Sequence, residues 1–379
     1  MKFFEDIISQ RNKAGQMVCG DICLCERRIE GTIFLVCDGV GSGVYANIAA
    51  IVCSERIMEL IRSGTSARVA TEMVASSMHR ARTENIPFSA FSLCIILPDG
   101  TFTIYTYESP NAILYQNGSA GVLAPRYYTA GFEMIGEATG VMREGDALLL
   151  FSDGVSQAGL GHGHGLGIGS DGVASFINRL QKNQSIRFLP EVITSMVTDL
   201  SDGKAEDDVS LGMLYCREAV HFSIMSGPPA KPSRDKSFVE EFINLPGQKA
   251  ICGSTTSEIV SRVLETPIRM IVQGDSIGKM PEYHIEGVDI TTEGAIVLNQ
   301  VYNLLDEPID KLMDNSVSER LCLMLKEADV IHLMIGNAVN KAHESVLFKQ
   351  IGVRVRRSTI ELISNKLKAM GKLVIEVYH

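Results

Sequence analysis

The chain lacks the features that mark a nucleic-acid-binding, membrane or secreted protein. Its 379 residues include 35 Lys and Arg against 45 Asp and Glu, a formal net charge of −10, so it has no basic excess for a nucleic acid. No apolar run approaches the ~20 residues of a membrane-spanning helix. Residues 1–6 carry acids where a signal peptide has basic and apolar segments. The nine cysteines follow no disulfide framework. These absences predict a cytoplasmic protein with reduced thiols and with neither nucleic-acid nor membrane partners.

The length of the chain favours two domains. The stretch Ser226–Ser233, rich in Pro and turn residues, is the one segment with the composition of a linker. We therefore predict a first domain over residues 1–228, a linker over 229–247 and a second, smaller domain over 248–379.

The first domain is predicted to be α+β. Asp99-Gly100 and Asn117-Gly118 mark tight turns between strands, and amphipathic helices are predicted over 44–61 and 66–83. This pattern indicates two stacked antiparallel β-sheets flanked by helices, an αββα sandwich. Beyond the linker, strands alternate with helices, which predicts a smaller α/β domain with a mainly parallel sheet. The spacing in the first helix predicts one buried stripe, formed by Val44, Ile48, Ile51, Met58 and Ile61.

Carboxylates lie at the ends of several buried strands. Asp38-Gly39 follows the apolar run 32–37, Asp153-Gly154 follows the run 147–152, and Asp207-Asp208 precedes the run 209–215. Asp21 lies on the strand before Asp38. Buried acids are unfavourable unless something pairs them, and several converging carboxylates with few basic neighbours favour a hard divalent cation. The pattern therefore predicts a metal site built from aspartates.

Together, Gly20-Asp21, the segment Asp38–Gly43, the segment Ser152–Val155 and Asp207-Asp208 resemble the motifs of the bacterial metal-dependent protein phosphatases, in particular the SpoIIE-type branch. The resemblance covers roughly residues 15–217 in the expected order and implies the same sandwich fold. It also implies an enzyme that hydrolyses phosphoserine and phosphothreonine in a phosphoprotein partner with hydroxide bridging two Mn²⁺ or Mg²⁺ ions.

Carried over residue by residue, the resemblance gives each aspartate a role. Asp38 would bridge the two ions, and the carbonyl of Gly39 would be a further ligand. Asp21 would bind one ion, and Asp153 and Asp207 the other. Asp208 completes the list of predicted metal residues, and it would act from behind these ligands. The predicted catalytic pair is Asp38 and Asp153.

Three positions depart from the family pattern. Val40 stands where eukaryotic members have His, and Gln157 stands where relatives often have Glu. Arg11 lies ten residues before Asp21, so no arginine clearly takes a phosphate-binding role. His162 and His164, in a glycine-rich loop after Asp153, are either an acid or ligand for the site or solvated loop residues.

Other functions stay open at this stage. Gly41-Ser42-Gly43 after a strand also fits a dinucleotide fingerprint, although Asp38 stands where a glycine is wanted. A non-catalytic metal-bound sensor of the same fold is a further alternative. Three cysteines share a strand face with Asp21 and favour core packing over a redox role: Cys19, Cys23 and Cys25.

In the second domain, Gly253–Glu258 follows a strand and opens a helix, and Thr255-x-x-Glu258 matches a capping box. Free N–H groups at a helix N-terminus hold anions well, so a small anionic effector is predicted there, with plain capping as the alternative. The domain faintly resembles the C-terminal extension of SpoIIE-like phosphatases encoded beside iron hydrogenases. A regulatory or ligand-sensing role is therefore predicted, and a homodimer is left open.

Overall fold

The computed structural model describes residues 1–180, 185–272, 280–313, 315–338 and 356–379. The chain forms two compact units, Met1–Glu218 and Ala219–His379, which are described separately below. No helix among the described residues combines the length and the hydrophobicity needed to cross a membrane.

Unit 1 contains eleven strands and five helices among its described residues. Its strands are β1 Lys2–Arg11, β2 Ile22–Arg28, β3 Gly31–Gly39, β4 Ser89–Ile96, β5 Thr101–Tyr107, β6 Ile113–Gln116, β7 Ser119–Val122, β8 Arg126–Ala130, β9 Glu133–Val141, β10 Ala147–Phe151 and β11 Val209–Glu218. Its helices are α1 Gly43–Arg62, α2 Ala67–Thr83, α3 Asp153–Ser156, α4 Gly169–Arg179 and α5 Leu189–Leu200.

The strands of unit 1 form two antiparallel sheets, with the orders β1-β11-β10-β6-β7 and β2-β3-β4-β5-β9-β8. Apolar side chains from both sheets, among them Phe34, Phe102 and Leu214, form a core between the sheets. A second core packs α1 and α2 on the six-stranded sheet, and a third packs α4 and α5 on the five-stranded sheet. The α+β prediction of two stacked antiparallel sheets flanked by helices is confirmed.

The predicted buried stripe of α1 is wrong at three of its five positions. Val44 is 58% exposed, Ile48 50% and Ile51 42%. The buried face consists mainly of small residues such as Ala46 and Ala50. Small side chains let the helix backbone approach β3 closely, whereas the larger aliphatic side chains would hold it away. Close approach, rather than hydrophobicity alone, therefore selects the buried face of α1.

Unit 2 is a three-layer α/β unit. Its strands are β12 His221–Ser226, β13 Gln248–Cys252, β14 Arg269–Val272, β15 Glu282–Ile285, β16 Val288–Thr292, β17 Val330–Ile335 and β18 Leu373–Tyr378. Its helices are α6 Asp235–Asn244, α7 Ser254–Leu264, α8 Ala295–Leu304, α9 Val317–Glu327 and α10 Arg356–Ala369. The sheet order is β14-β15-β16-β13-β12-β17-β18, with parallel pairing from β16 through β18 and antiparallel pairing at β14 and β15. The predicted mainly parallel sheet is confirmed.

The predicted domain boundary at 228 needs correction. Strand β12, at residues 221–226, lies in the middle of the unit 2 sheet, hydrogen-bonded to β13 and β17. The predicted linker, 229–247, contains helix α6, which buries Phe238 and Phe242 in the unit 2 core. The Pro-rich stretch after β12 is a strand-to-helix turn inside unit 2, because the same turn residues serve loops and linkers alike.

Candidate metal centre

Strand pairing brings the predicted acids to one end of each sheet of unit 1. In the six-stranded sheet Ile22 pairs with Cys37, so the next residues outward, Asp21 and Asp38, are neighbours. In the five-stranded sheet Phe151 pairs with Leu211, which places Asp153 beside the turn that holds Asp207 and Asp208. Adjacent antiparallel strands thus carry acids that lie far apart in the sequence to the same sheet edge.

A hydrogen bond then joins the two sheets at this point. The N–H of Asp153 donates to Oδ2 of Asp38 at 3.1 Å. The two predicted catalytic residues, 115 positions apart in the chain, are therefore in direct contact.

Glycines allow these turns to approach one another. A Cβ on Gly39 would lie 2.0 Å from the carbonyl oxygen of Ala46 in α1, and a Cβ on Gly154 would lie 2.2 Å from the carbonyl oxygen of Asp208. Neither glycine has a positive φ, so the backbone conformation alone does not require glycine at either position. The space they leave lets the strand ends pack at a distance that no other residue permits.

Asp208 anchors the loop that precedes Asp21. Its Oδ1 accepts the N–H of Lys13 at 2.9 Å and its Oδ2 accepts the N–H of Gly20 at 3.0 Å. The carboxylate is nearly fully buried, at 4% exposure. Because both oxygens hold backbone N–H groups, Asp208 positions the loop and Asp21 from behind the cluster.

Burial and mutual repulsion raise the pKa values of three of the clustered acids. Burial, with the charges of Asp208 and Asp153 adding to the effect, raises the pKa of Asp21 to about 7. Burial, with the charges of Asp21 and Asp153 adding to the effect, raises the pKa of Asp38 to about 9. Asp207 is half-buried, and burial raises its pKa as well. Buried carboxylates with raised pKa values are strongly stabilised in their charged form by a cation.

The donor set fits a hard divalent cation. Oδ2 of Asp21 is buried and has no hydrogen-bond partner among the described residues. Carboxylate and carbonyl oxygens are the ligands that Mg²⁺ and Mn²⁺ prefer. The acids do not form a closed cage in this conformation: within the described ranges, no group of three or more His, Cys, Asp or Glu side chains meets the geometry of a metal site.

The other predicted residues lie as follows. Gln157 donates from Nε2 to Oδ2 of Asp153 at 2.7 Å, so it orients that carboxylate. The Arg11 guanidinium donates to the hydroxyls of Thr198 and Ser195, on α5. His162 lies within 3.1 Å of both Asp202 and Glu206, and the hydrogen bond to Glu206 is the main cause of its raised pKa.

The loop and strand residues around the acids have less prominent places. The imidazole of His164 lies against Gly159, where a Cβ would meet it at 2.8 Å. Cys19, Cys23 and Cys25 are partly buried free thiols, and burial raises the pKa of each.

Sequence reasoning missed one residue at this centre. Nζ of Lys13 lies 3.7 Å from Oδ1 of Asp207, in the single ion pair that the five aspartates make within the described part of the chain. Lys13 stands in no strand and in no motif quoted above, so its sequence context carried no signal. Its position follows from the two hydrogen bonds that Asp208 makes to the loop.

Two interpretations from the sequence do not agree with the structure. The dinucleotide fingerprint requires a parallel β-α-β unit around Gly41–Gly43, yet β3 pairs with β2 and β4 in antiparallel fashion. The Thr255-x-x-Glu258 capping box is wrong, because α7 already begins at Ser254 and its N-cap, Gly253, has a φ of 134° and no side-chain cap. The hydroxyl of Thr256 accepts the N–H of Gly227 at 2.9 Å.

Comparison with known proteins places these observations in a family. Residues 30–217 match the model of the family described as Stage II sporulation protein E (SpoIIE), and this range contains Asp38, Asp153, Asp207 and Asp208. A search among curated proteins found no significant match.

Solved structures resemble the chain at low identity. They include the PP2C phosphatase domain with a regulatory fragment of SpoIIE from Bacillus subtilis (18% identity, TM-score 0.48, covering 57% of this chain and 62% of that one). Others are the RsbU and RsbW domains of Rv1364c from Mycobacterium tuberculosis (17%, 0.49, 63% and 67%) and the S. agalactiae serine/threonine phosphatase (11%, 0.42, 57% and 100%). The chain thus spans less than two thirds of the B. subtilis structure.

The family match and the acid cluster fall in the same unit, on the fold predicted from the sequence. The match ends at residue 217, one residue before the end of unit 1. Residues 30–217 belong to the SpoIIE family of PP2C-type phosphatases.

Proposed function

We propose that unit 1 is a Mn²⁺- or Mg²⁺-dependent phosphatase that hydrolyses phosphoserine and phosphothreonine in a phosphoprotein. The observation that carries this proposal is the contact between the partly buried Asp38 and Asp153 beside buried Asp21, within a SpoIIE-family domain. An acid cluster of this kind destabilises the protein unless cations bind it. A cluster of carboxylates with few basic partners is what a cation-dependent enzyme requires.

In this proposal the residues divide the work of holding two ions. Asp38 would serve both ions with the carbonyl of Gly39 as a further ligand, Asp21 would serve one ion, and Asp153 and Asp207 would serve the other. When bound, two such ions supply Lewis acidity and lower the pKa of a shared water. Gln157 holds Asp153 in place, and Asp208 holds the loop in place, so both act by positioning.

The proposal is tested by hydrolysis of p-nitrophenyl phosphate and of phosphoserine, phosphothreonine and phosphotyrosine peptides by the full chain with Mn²⁺, Mg²⁺ or EDTA. We expect turnover only with a divalent cation and preference for the phosphoserine and phosphothreonine peptides. Full activity in EDTA contradicts the proposal.

The same experiment distinguishes a phosphatase from the alternative, a non-catalytic metal-bound sensor. A sensor binds Mn²⁺ through Asp38 and Asp153, as measured by equilibrium dialysis, and releases no phosphate from any of these substrates. The Asp38→Asn variant reports on both functions, because it should lose metal in either case and lose turnover only in an enzyme.

Unit 2 keeps its predicted regulatory role as a prediction. The N-terminus of α7 presents exposed Ser254 and Thr255, and the effector at Gly253–Glu258 stays a prediction, as does the homodimer.

A further inference from the structure

Among the described residues, Lys13 is the one cation in ion-pair distance of the acid cluster, and it is held there by the backbone. Its N–H donates to the buried carboxylate of Asp208, and the N–H of the next residue, Ala14, donates to the carbonyl oxygen of Ala205 at 2.8 Å. These two bonds hold the backbone of Lys13 beside Asp208, whatever its side chain contacts. The flexible four-carbon side chain can therefore pair with different acceptors.

The present partner of the side chain is a weak one. Nζ lies 3.7 Å from Asp207, beyond normal hydrogen-bond distance, and the two side chains are 37% and 39% exposed. Exposed ion pairs of this kind contribute little to stability. Among the residues that the structure describes, no other Lys or Arg side chain lies within ion-pair distance of Asp21, Asp38, Asp153, Asp207 or Asp208.

The charge balance of the site indicates a role for the ammonium of Lys13. Five carboxylates with two divalent cations leave one net negative charge, which repels a phosphate ester that is itself an anion. The ammonium of Lys13 cancels that charge. A cation at Asp207 would compete with Lys13 for the carboxylate and release the ammonium for another acceptor.

Resting on the proposed phosphatase function, we infer that Lys13 is the phosphate-binding cation of the site. It pairs with Asp207 when no metal is bound and with a phosphoryl oxygen of the substrate when Asp207 holds an ion. The guanidinium of Arg11, two residues earlier, does not serve this role because it is bound to the hydroxyls of Ser195 and Thr198.

The test compares Lys13→Gln and Lys13→Arg with the matched control Lys204→Gln, an exposed lysine of the same unit. All side-chain variants keep the backbone bond to Asp208. Two affinities are measured on the full chain: Mn²⁺ by equilibrium dialysis, and orthophosphate binding to the Mn²⁺-loaded protein by dialysis with ³²P-phosphate. Hydrolysis of p-nitrophenyl phosphate supplies KM and kcat.

For Lys13→Gln we expect orthophosphate binding about tenfold weaker or more, as for loss of a hydrogen bond to a charged group, with a rise in KM. The Mn²⁺ affinity should stay equal or increase, because a competing cation is gone. Lys13→Arg should restore most of the phosphate affinity, and Lys204→Gln should behave as the unaltered protein.

Two results overturn the inference: orthophosphate affinity that is unchanged in Lys13→Gln, or parallel losses of Mn²⁺ and phosphate affinity that Lys13→Arg does not restore. The second result assigns Lys13 a structural role only. If the unaltered protein binds orthophosphate through Lys13 but hydrolyses no ester, the inference stands and the phosphatase proposal fails. If it hydrolyses esters independently of Lys13, the reverse holds.

Discussion

Both units have glycine-bearing turns after buried strands, but the groups that these turns bring into contact differ. In unit 1, Gly39 and Gly154 let strand ends approach so closely that carboxylates meet. In unit 2, a Cβ on Gly336 would lie 2.1 Å from the carbonyl oxygen of Pro228, and the N–H of Ala338 donates to that same oxygen. In unit 2 the close approach therefore brings backbone groups into contact.

The acids of the two units differ in the same way. In unit 2, buried Glu282 pairs with Arg320 and buried Asp235 pairs with Arg262. In unit 1, Asp21 and Asp38 have acids as neighbours. A glycine at such a turn therefore indicates only that two backbone segments approach closely. The functional site is indicated instead by acids that lack counter-charges.

The largest effect is expected when one acid is removed from the cluster. We expect Asp38→Asn and Asp153→Asn each to lower p-nitrophenyl phosphate turnover with Mn²⁺ by about 100-fold or more, since a lost ligand removes several kcal/mol of transition-state stabilisation. Asp171→Asn, which changes an exposed acid on α4 of the same unit, is the control and should retain activity. Activity that survives in Asp38→Asn would place the site elsewhere.

A second test exchanges the two kinds of glycine turn. Gly39→Ala and Gly336→Ala should each destabilise their unit by about 3 kcal/mol or more, because the new Cβ meets a backbone oxygen in both. Only Gly39→Ala should also reduce the rise in melting temperature caused by Mn²⁺. The control is Gly121→Ala, where nothing lies within 4 Å of the added Cβ. An equal loss of the Mn²⁺ effect in both variants would contradict the distinction drawn here.

The raised pKa values of Asp21 and Asp38 predict a pH dependence of the metal-free protein. Because these carboxyls bind protons more tightly when folded, stability is full below the ordinary carboxyl pKa near 4 and is lost as pH rises through about 7 and 9. In EDTA at pH 8, Asp38→Asn should raise the melting temperature of unit 1 by about 3 °C, roughly 1 kcal/mol for a unit of this size. A melting temperature in EDTA that does not fall between pH 5 and 8 would show that the acids are not mutually repelling.

The smallest expected effect comes from separating the units. Residues 1–218 should fold alone and retain both Mn²⁺ binding and activity on p-nitrophenyl phosphate, since all the predicted ligands and three cores lie within unit 1. Residues 1–228 should be less soluble, because they carry the apolar strand β12 without its neighbours β13 and β17. Comparing soluble yield and activity of the two fragments tests the corrected boundary, and equal yields would argue against it.

Much of the fold could be predicted because its signals are local. The predicted alternation of strands and helices in the second domain is observed, and the Asp99-Gly100 and Asn117-Gly118 turns do connect antiparallel neighbours. The errors share one cause. The buried face of α1, the placement of β12 and the capping of α7 each depend on what packs against them, and this information is absent from the local sequence.

The local sequence predicts that acids flank buried strands in the first half of the chain and that strands alternate with helices in the second, because apolar periodicity and turn chemistry act over a few residues. Three contacts depend on the tertiary structure instead: Asp153 contacts Asp38, Asp208 accepts two backbone hydrogen bonds from the loop, and Lys13 lies beside Asp207. These contacts join residues more than a hundred positions apart. The contact between Asp153 and Asp38 exists because two sheets pack face to face, and Lys13 lies beside Asp207 and Asp208 because β1 pairs with β11.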